Sequence, residues 1–214
     1  MNKLVLLFLL YKPQGILRAF WTVLRILILP YKKLDLLIPK SGTILDIGCG
    51  NGGFSNYLSM QSPERKILGI DLSLKRIKSA KKTVGKRKNI KFILADAAKI
   101  KQPSADCFLM IDVLHHIDFL SQEKLLKFLA KKVSKNGVLI IKEVDPSSRI
   151  PFIFSHTLEK ILYPKEKIYA MSKKEWEGMF RSFNLSVKVL PGAFYFPDST
   201  CIFVLKKTSA STRT

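Results

Sequence analysis

Leu45-Asp46-Ile47-Gly48-Cys49-Gly50-Asn51-Gly52-Gly53 is the stretch on which the reading of this chain turns. An apolar run, Thr43 to Ile47, leads into it, and Phe54 to Met60 follows with a helical pattern. The unit is therefore a strand, a glycine turn and a helix. Such glycines let the backbone turn sharply and bring a ligand close to main-chain N–H groups at a helix N-terminus. A phosphate-binding loop of the Gly-Lys-Ser/Thr kind is absent, and the spacing is Gly48-x-Gly50-x-Gly52 rather than the G-x-G-x-x-G of a dinucleotide fingerprint. Asp46 stands two residues before the first glycine. A carboxylate there repels a pyrophosphate and attracts an ammonium or another cationic centre, so the ligand expected is a nucleoside carrying a positive appendage.

Outward from this unit, strands alternate with helices. Lys66 to Ile70, Ile90 to Leu94, Cys107 to Ile111 and Val138 to Lys142 read as strands. Leu74 to Val84 reads as a basic helix, and Gln122 to Val133 as an amphipathic one with Leu125, Leu126, Leu129 and Val133 on one side. Asn136-Gly137 reads as the turn into the fifth strand. This alternation predicts a parallel α/β sheet covered on both faces. Residues 146–170 interrupt it with an aromatic-rich insertion, including a helix from Pro151 to Leu162. Ser172 to Phe183 is a further helix, with Ser172 and Glu175 at capping-box spacing. Leu185 to Leu190 and Cys201 to Leu205 are two closing strands, and 207–214 is a flexible polar tail. The organisation expected is an N-terminal segment over 1–40 and one domain over 41–206.

Three more acids sit at carboxyl ends of strands, where open α/β sheets bind ligands. Asp71, in Gly69-Ile70-Asp71-Leu72-Ser73, can take both hydroxyls of a ribose. Asp96, in Leu94-Ala95-Asp96-Ala97, can accept from an adenine amine while the Ala97 N–H serves a ring nitrogen. Asp112 opens Asp112-Val113-Leu114-His115-His116-Ile117. This ordered set resembles the class I S-adenosylmethionine-dependent methyltransferases over about residues 41–145 and the two closing strands. The resemblance implies a Rossmann-like, doubly wound sheet of seven strands, mostly parallel, with the last strand antiparallel. It implies S-adenosyl-L-methionine as cofactor. Asp46, Gly48, Cys49 and Gly50 would hold its methionine part, Asp71 its ribose, and Leu72, Asp96 and Ala97 its adenine. Asp112 would lie beside the methionine end.

Methyl transfer from a sulfonium needs an aligned acceptor and, for a hydroxyl, removal of a proton. His115 or His116 is a candidate base, because imidazole titrates near neutrality, and each reads equally as a pocket-wall residue. Glu143 is a further catalytic candidate, or one half of a structural ion pair. The Asn/Asp-Pro-Pro-Phe/Tyr motif of amino-methylating nucleic-acid enzymes is missing after the fourth strand, and no cysteine stands there for cytosine C5 chemistry. No metal-ligand set is discernible. Cys49, Cys107 and Cys201 are far apart and form no CxxC pair, which favours three small buried residues in a reducing cytoplasm over a disulfide framework.

The chain has 37 Lys+Arg against 16 Asp+Glu, a net charge of +21, and its 47% hydrophobic residues exclude a disordered polybasic chain. Residues 1–40 contribute seven basic residues and one acid. Leu4 to Leu10 is an apolar run without a signal-peptidase-like cleavage pattern, and Ile16 to Leu29 is an apolar stretch of fourteen, short of the ~20 a spanning helix needs. On that stretch Gln14, Arg18, Thr22 and Arg25 share one narrow helical stripe. The remaining wide apolar face must bury itself in something: either the domain, as a lid, or an anionic membrane interface. The acceptor expected is accordingly a hydrophobic or lipid-like small molecule, with the insertion's Phe152, Phe154, Tyr163 and Tyr169 as a greasy pocket. The alternative is RNA or protein methylation through the basic surface of Lys75, Arg76, Lys78, Lys81, Lys82, Lys86, Arg87 and Lys88. A cofactor-binding scaffold without catalysis is the third reading.

Overall fold

The computed structural model of the protein describes residues 2–100, 104–147, 167–192 and 200–207. The expected helix from Pro151 to Leu162, with Phe152, Phe154 and Tyr163, and the tail after Lys207 lie outside the described residues. Seven strands form one sheet: β1 (Gly42–Ile47), β2 (Arg65–Asp71), β3 (Ile90–Leu94), β4 (Ala105–Ile111), β5 (Val133–Val144), β6 (Leu185–Pro191) and β7 (Thr200–Lys207). Their order is β3-β2-β1-β4-β5-β7-β6. β1 pairs parallel with β2, and β2 with β3, while β7 runs antiparallel to both β5 and β6. The Rossmann-like sheet with its antiparallel end is thus the one expected. The helices are α1 (Lys3–Tyr11), α2 (Ile16–Ile28), α3 (Tyr31–Leu37), α4 (Gly53–Gln61), α5 (Leu74–Lys81), α6 (Phe119–Lys132) and α7 (Lys173–Ser182).

Contacts divide the chain into two compact units, Met1–Leu109 and Met110–Thr214, so residues 1–40 belong with the strands that follow them. The first unit is built around β1–β3. The Ile47 end of β1 and the Asp71 end of β2 lie close in register, with Asp46 opposite Gly69 and Ile47 opposite Ile70. The ring of Phe92 fills the space beneath the glycine turn: a Cβ on Gly52 would stand 2.5 Å from its Cζ, and one on Gly69 2.5 Å from its Cδ1. Glycine is required at both positions for that close approach. Arg65, fully buried, donates to Asp35 Oδ1 at 2.5 Å and to the carbonyls of Pro39, Ile38 and Leu58, tying α3 to the start of β2.

The N-terminal helices depart from expectation. Polar side chains on and just before α2 reach α5: Gln14 donates to the Ser79 carbonyl at 3.1 Å, and Arg18, itself largely exposed, to the Ser79 hydroxyl at 3.0 Å. The Thr22 methyl lies against Gly53. Ala19 and Ile26 are buried on this side, whereas Ile16, Leu17, Phe20, Leu27 and Ile28 are exposed. The wide apolar face is therefore covered only in part, with Trp21, Val23 and Leu24 half-buried, while Gln14 and Arg18 satisfy polar groups of α5 beside it. Among the described residues no helix is long and apolar enough to cross a membrane.

In the second unit, α6 begins at Phe119 under an Asp118 cap, three residues before the sequence pattern places it. β5 begins at Val133, so Asn136-Gly137 lies inside a strand instead of forming a turn. Asn136 is exposed and extended there, and strand continuity overrides the local turn preference. The capping box of α7 forms as read, with Ser172 accepting from the Glu175 N–H and Glu175 accepting from the Ser172 N–H.

Candidate active site

In the first unit the turn after β1 takes a left-handed backbone at Gly48, Gly50 and Gly52, with φ of 69°, 56° and 80°. The Cys49 N–H donates to the Ile70 carbonyl at 2.9 Å and pins the turn to β2. Asp71, buried, accepts from the Gly50 N–H at 2.9 Å and from the Ser73 N–H at 2.7 Å. One carboxylate thus joins the glycine turn to the start of α5, whose N-cap is Ser73 and not Asp71. Each of its oxygens keeps a further acceptor position. Leu72 next to it is 75% exposed, an unusual state for a leucine beside a buried acid, and Leu94 is 49% exposed. They offer an open apolar face at the ends of β2 and β3. Asp96 accepts from the Ala98 N–H at 2.9 Å and stays partly exposed, next to buried Ala97.

Asp46 differs from the other acids. It is 3% exposed and accepts a hydrogen bond from the Ser55 hydroxyl of α4. Burial raises its pKa from 3.8 to about 7; the Ser55 bond opposes the rise and the Asp71 charge adds to it. A cation placed beside it would favour the ionised form. Burial likewise pushes the Cys49 thiol up, which makes it a neutral wall residue. Tyr11 was not singled out in the sequence. Its hydroxyl donates to the Asn51 carbonyl at 2.6 Å and accepts from Asn56 Nδ2 at 2.9 Å, and burial pushes its phenol well up, so it remains a neutral donor. The end of α1 therefore rests on the glycine turn.

In the second unit, Asp112 follows β4 with a left-handed φ of 56°, a conformation that Asp tolerates better than most residues. Its carboxylate accepts from Lys142 Nζ at 2.6 Å, and Lys142 is 2% exposed. Glu143, also buried, accepts from the Val113 and Leu114 N–H groups at 3.0 and 2.7 Å through Oε1. Its Oε2 lies 2.5 Å from His115 Nδ1. Both oxygens of Glu143 are thus occupied, which makes it an organiser of the 113–115 backbone and of the His115 ring. The His116 ring stands 4.2 Å from that of His115. Gln122 donates to the carbonyls of Leu114, Ile117 and Tyr169 and closes the segment. Lys142 and Gln122 escaped the sequence reading, although a lysine at the end of an apolar strand was a signal for the first. Among the described residues no group of His, Cys, Asp and Glu is arranged to hold a metal ion.

Strand-end acids and a glycine turn on a sheet of this order make a Rossmann-like α/β site. A family model described as a methyltransferase domain matches residues 22–188, and the chain belongs to that family. Among curated relatives, the chain is 31% identical over 107 residues to the carboxy-S-adenosyl-L-methionine synthase of Helicobacter pylori strain J99, covering 50% of this chain and 44% of that protein. It is 28% identical over 120 residues to the malonyl-[acyl-carrier protein] O-methyltransferase of Legionella pneumophila, covering 55% and 42%. The matched region thus spans less than half the length of these relatives. The magnesium protoporphyrin IX methyltransferase of Synechocystis PCC 6803, solved with bound SAH, superposes with a TM-score of 0.65 at 16% identity, covering 83% of this chain and 82% of that one. That likeness is one of fold.

Proposed function

We propose that the chain transfers a methyl group from S-adenosylmethionine to a hydrophobic or lipid-like small molecule at a membrane surface. The observation that carries the cofactor is Asp71 holding the glycine turn in place beside an exposed Leu72, with Asp46 buried next to it. The apolar surface of α1–α3, resting on the same turn through Tyr11, supports the acceptor class.

When bound, the cofactor supplies a methyl group on a cationic sulfur for in-line displacement. Asp46 and the backbone from Gly48 through Cys49 to Gly50 would take its amino-acid end, Asp46 ionising against the ammonium. Asp71 would accept from the ribose hydroxyls, and Leu72 would lie on the adenine face. Asp96 and Ala97 would serve the adenine edge. We assign Asp112 to the methionine end, where the Lys142 ion pair holds its carboxylate in place. For a hydroxyl acceptor, His115 is the base: Glu143 orients its buried ring through Nδ1, and the acceptor has to enter the pocket to reach it. Glu143 is then a positioning residue and His116 a neighbouring wall.

The test is transfer of labelled methyl from S-adenosylmethionine to separated lipid, RNA and protein fractions of a cell extract. Label in the lipid fraction, lost in His115→Ala, is the expected result. Label in RNA or protein instead would move the acceptor to the basic surface of α5. No cofactor binding by calorimetry would overturn the enzyme reading.

A further inference from the structure

An ordinary surface helix turns its apolar stripe to the core and its polar stripe to water. α2 buries Ala19 and Ile26 but leaves about a third of its circumference, all apolar, to water. Gln14 and Arg18 face α5, while Ile16, Leu17, Phe20, Leu27 and Ile28 are 51–83% exposed. At 100° per residue those five fall within about a third of the helix circumference. Val5 and Leu9 of α1 and Leu36 of α3 are exposed as well. Exposed apolar side chains gathered on one helix face in this way mark a docking site.

Charge decides what docks. Residues 2–40 hold seven basic side chains and a single carboxylate, Asp35. That carboxylate is buried and bonded to Arg65 and Lys40, so no exposed acid lies in the segment. Lys12 and Lys32 are exposed on either side of α2, and Lys75, Lys78 and Lys81 are exposed on α5, against which α2 packs. Two copies meeting through this surface would bring cations against cations. An anionic bilayer satisfies both halves, with acyl chains for the leucines and phenylalanine and headgroups for the lysines.

We propose that α2 docks the protein on an anionic lipid bilayer, lying in the plane of the interface with Leu17, Phe20, Leu27 and Ile28 inserted. The proposal deepens the reading above, on which it rests, by naming the surface where the hydrophobic acceptor is met. The Gln14 and Arg18 bonds to Ser79, with Ala19 and Ile26 buried, hold the helix to the protein, so the inserted face is presented without unfolding. Each exposed lysine adds about a fivefold gain in affinity for anionic headgroups, and that part fades with salt.

The test is flotation of the full chain with phosphatidylcholine vesicles, with and without phosphatidylglycerol. Binding is expected with the anionic lipid and at least about tenfold weaker without it. Leu17→Glu with Phe20→Glu, and separately Lys12→Glu with Lys32→Glu, should each lower anionic binding by at least about tenfold. All four side chains are exposed, so S-adenosylmethionine affinity by calorimetry should stay at the wild-type value and report that the fold is intact. Absence of vesicle binding by a chain that binds the cofactor overturns the docking and leaves the methyltransferase reading standing; vesicle binding without cofactor binding does the opposite. A dimer that Leu17→Glu with Phe20→Glu dissolves, with no vesicle binding, would assign the face to a second copy and overturn the proposal.

Discussion

Replacing Asp46 by Asn should make the cofactor-free protein more stable above neutral pH while weakening its hold on the cofactor. The carboxyl is 3% exposed and its pKa rises from 3.8 to about 7, chiefly because burial disfavours the charged form. Between those two values the folded protein retains a proton that the unfolded chain releases. Stability therefore falls as pH rises through this window, by about 1.4 kcal/mol per unit, and levels off above pH ~7. The shift of about three units amounts to about 4 kcal/mol of destabilisation at pH ~8. Asn keeps an oxygen for the Ser55 hydroxyl and carries no charge. The variant should match the wild type near pH ~4 and exceed it by about 4 kcal/mol at pH ~8, a rise in Tm of roughly 8–16 °C for a chain of this size. Urea unfolding of both proteins at several pH values, without cofactor, measures the difference. Calorimetry of the variant with S-adenosylmethionine should show weaker binding at pH ~8, where the wild-type carboxylate is already ionised. A variant no more stable at pH ~8, or one whose advantage is the same at pH ~4, refutes the argument that Asp46 is a buried charge waiting for a cation.

Two further outcomes follow from the packing. Asp112→Ala removes the carboxylate to which the buried Lys142 ammonium donates at 2.6 Å, and should cost about 3–5 kcal/mol; adding Lys142→Met should recover part of the loss in a double-mutant cycle of urea unfolding. Gly52→Ala would set a Cβ 2.5 Å from Phe92 Cζ at a φ of 80°, costing about 2–4 kcal/mol; Phe92→Leu should relieve the clash but not the backbone strain, so thermal unfolding of the double variant should recover only part of the Tm.

The glycine turn and the strand-end acids were readable because their determinants are local. Gly48, Gly50 and Gly52 adopt left-handed backbones within one short turn, and Asp71 and Asp96 stand where strands end. Strand–helix alternation and the Ser172–Glu175 capping box depend on neighbours a few residues apart, so pattern alone finds them. The second unit was harder. Lys142 and Glu143 are adjacent in sequence, yet their partners are Asp112 and His115, about thirty residues earlier, and only strand pairing decides such matches. Asn136-Gly137 failed as a turn for the same reason: a long strand overrode a local preference.

The amino-acid sequence by itself determined the glycine turn, the strand-end acids and the two-sided character of α2, since each is a matter of spacing along the chain. Only the tertiary structure decided which side of α2 meets the protein. Helical periodicity sorts residues onto faces, but it does not say which face a neighbour will take. Here Ala19 and Ile26 turned inward, Ser79 of α5 took Gln14 and Arg18, and Ile16, Leu17, Phe20, Leu27 and Ile28 were left outward.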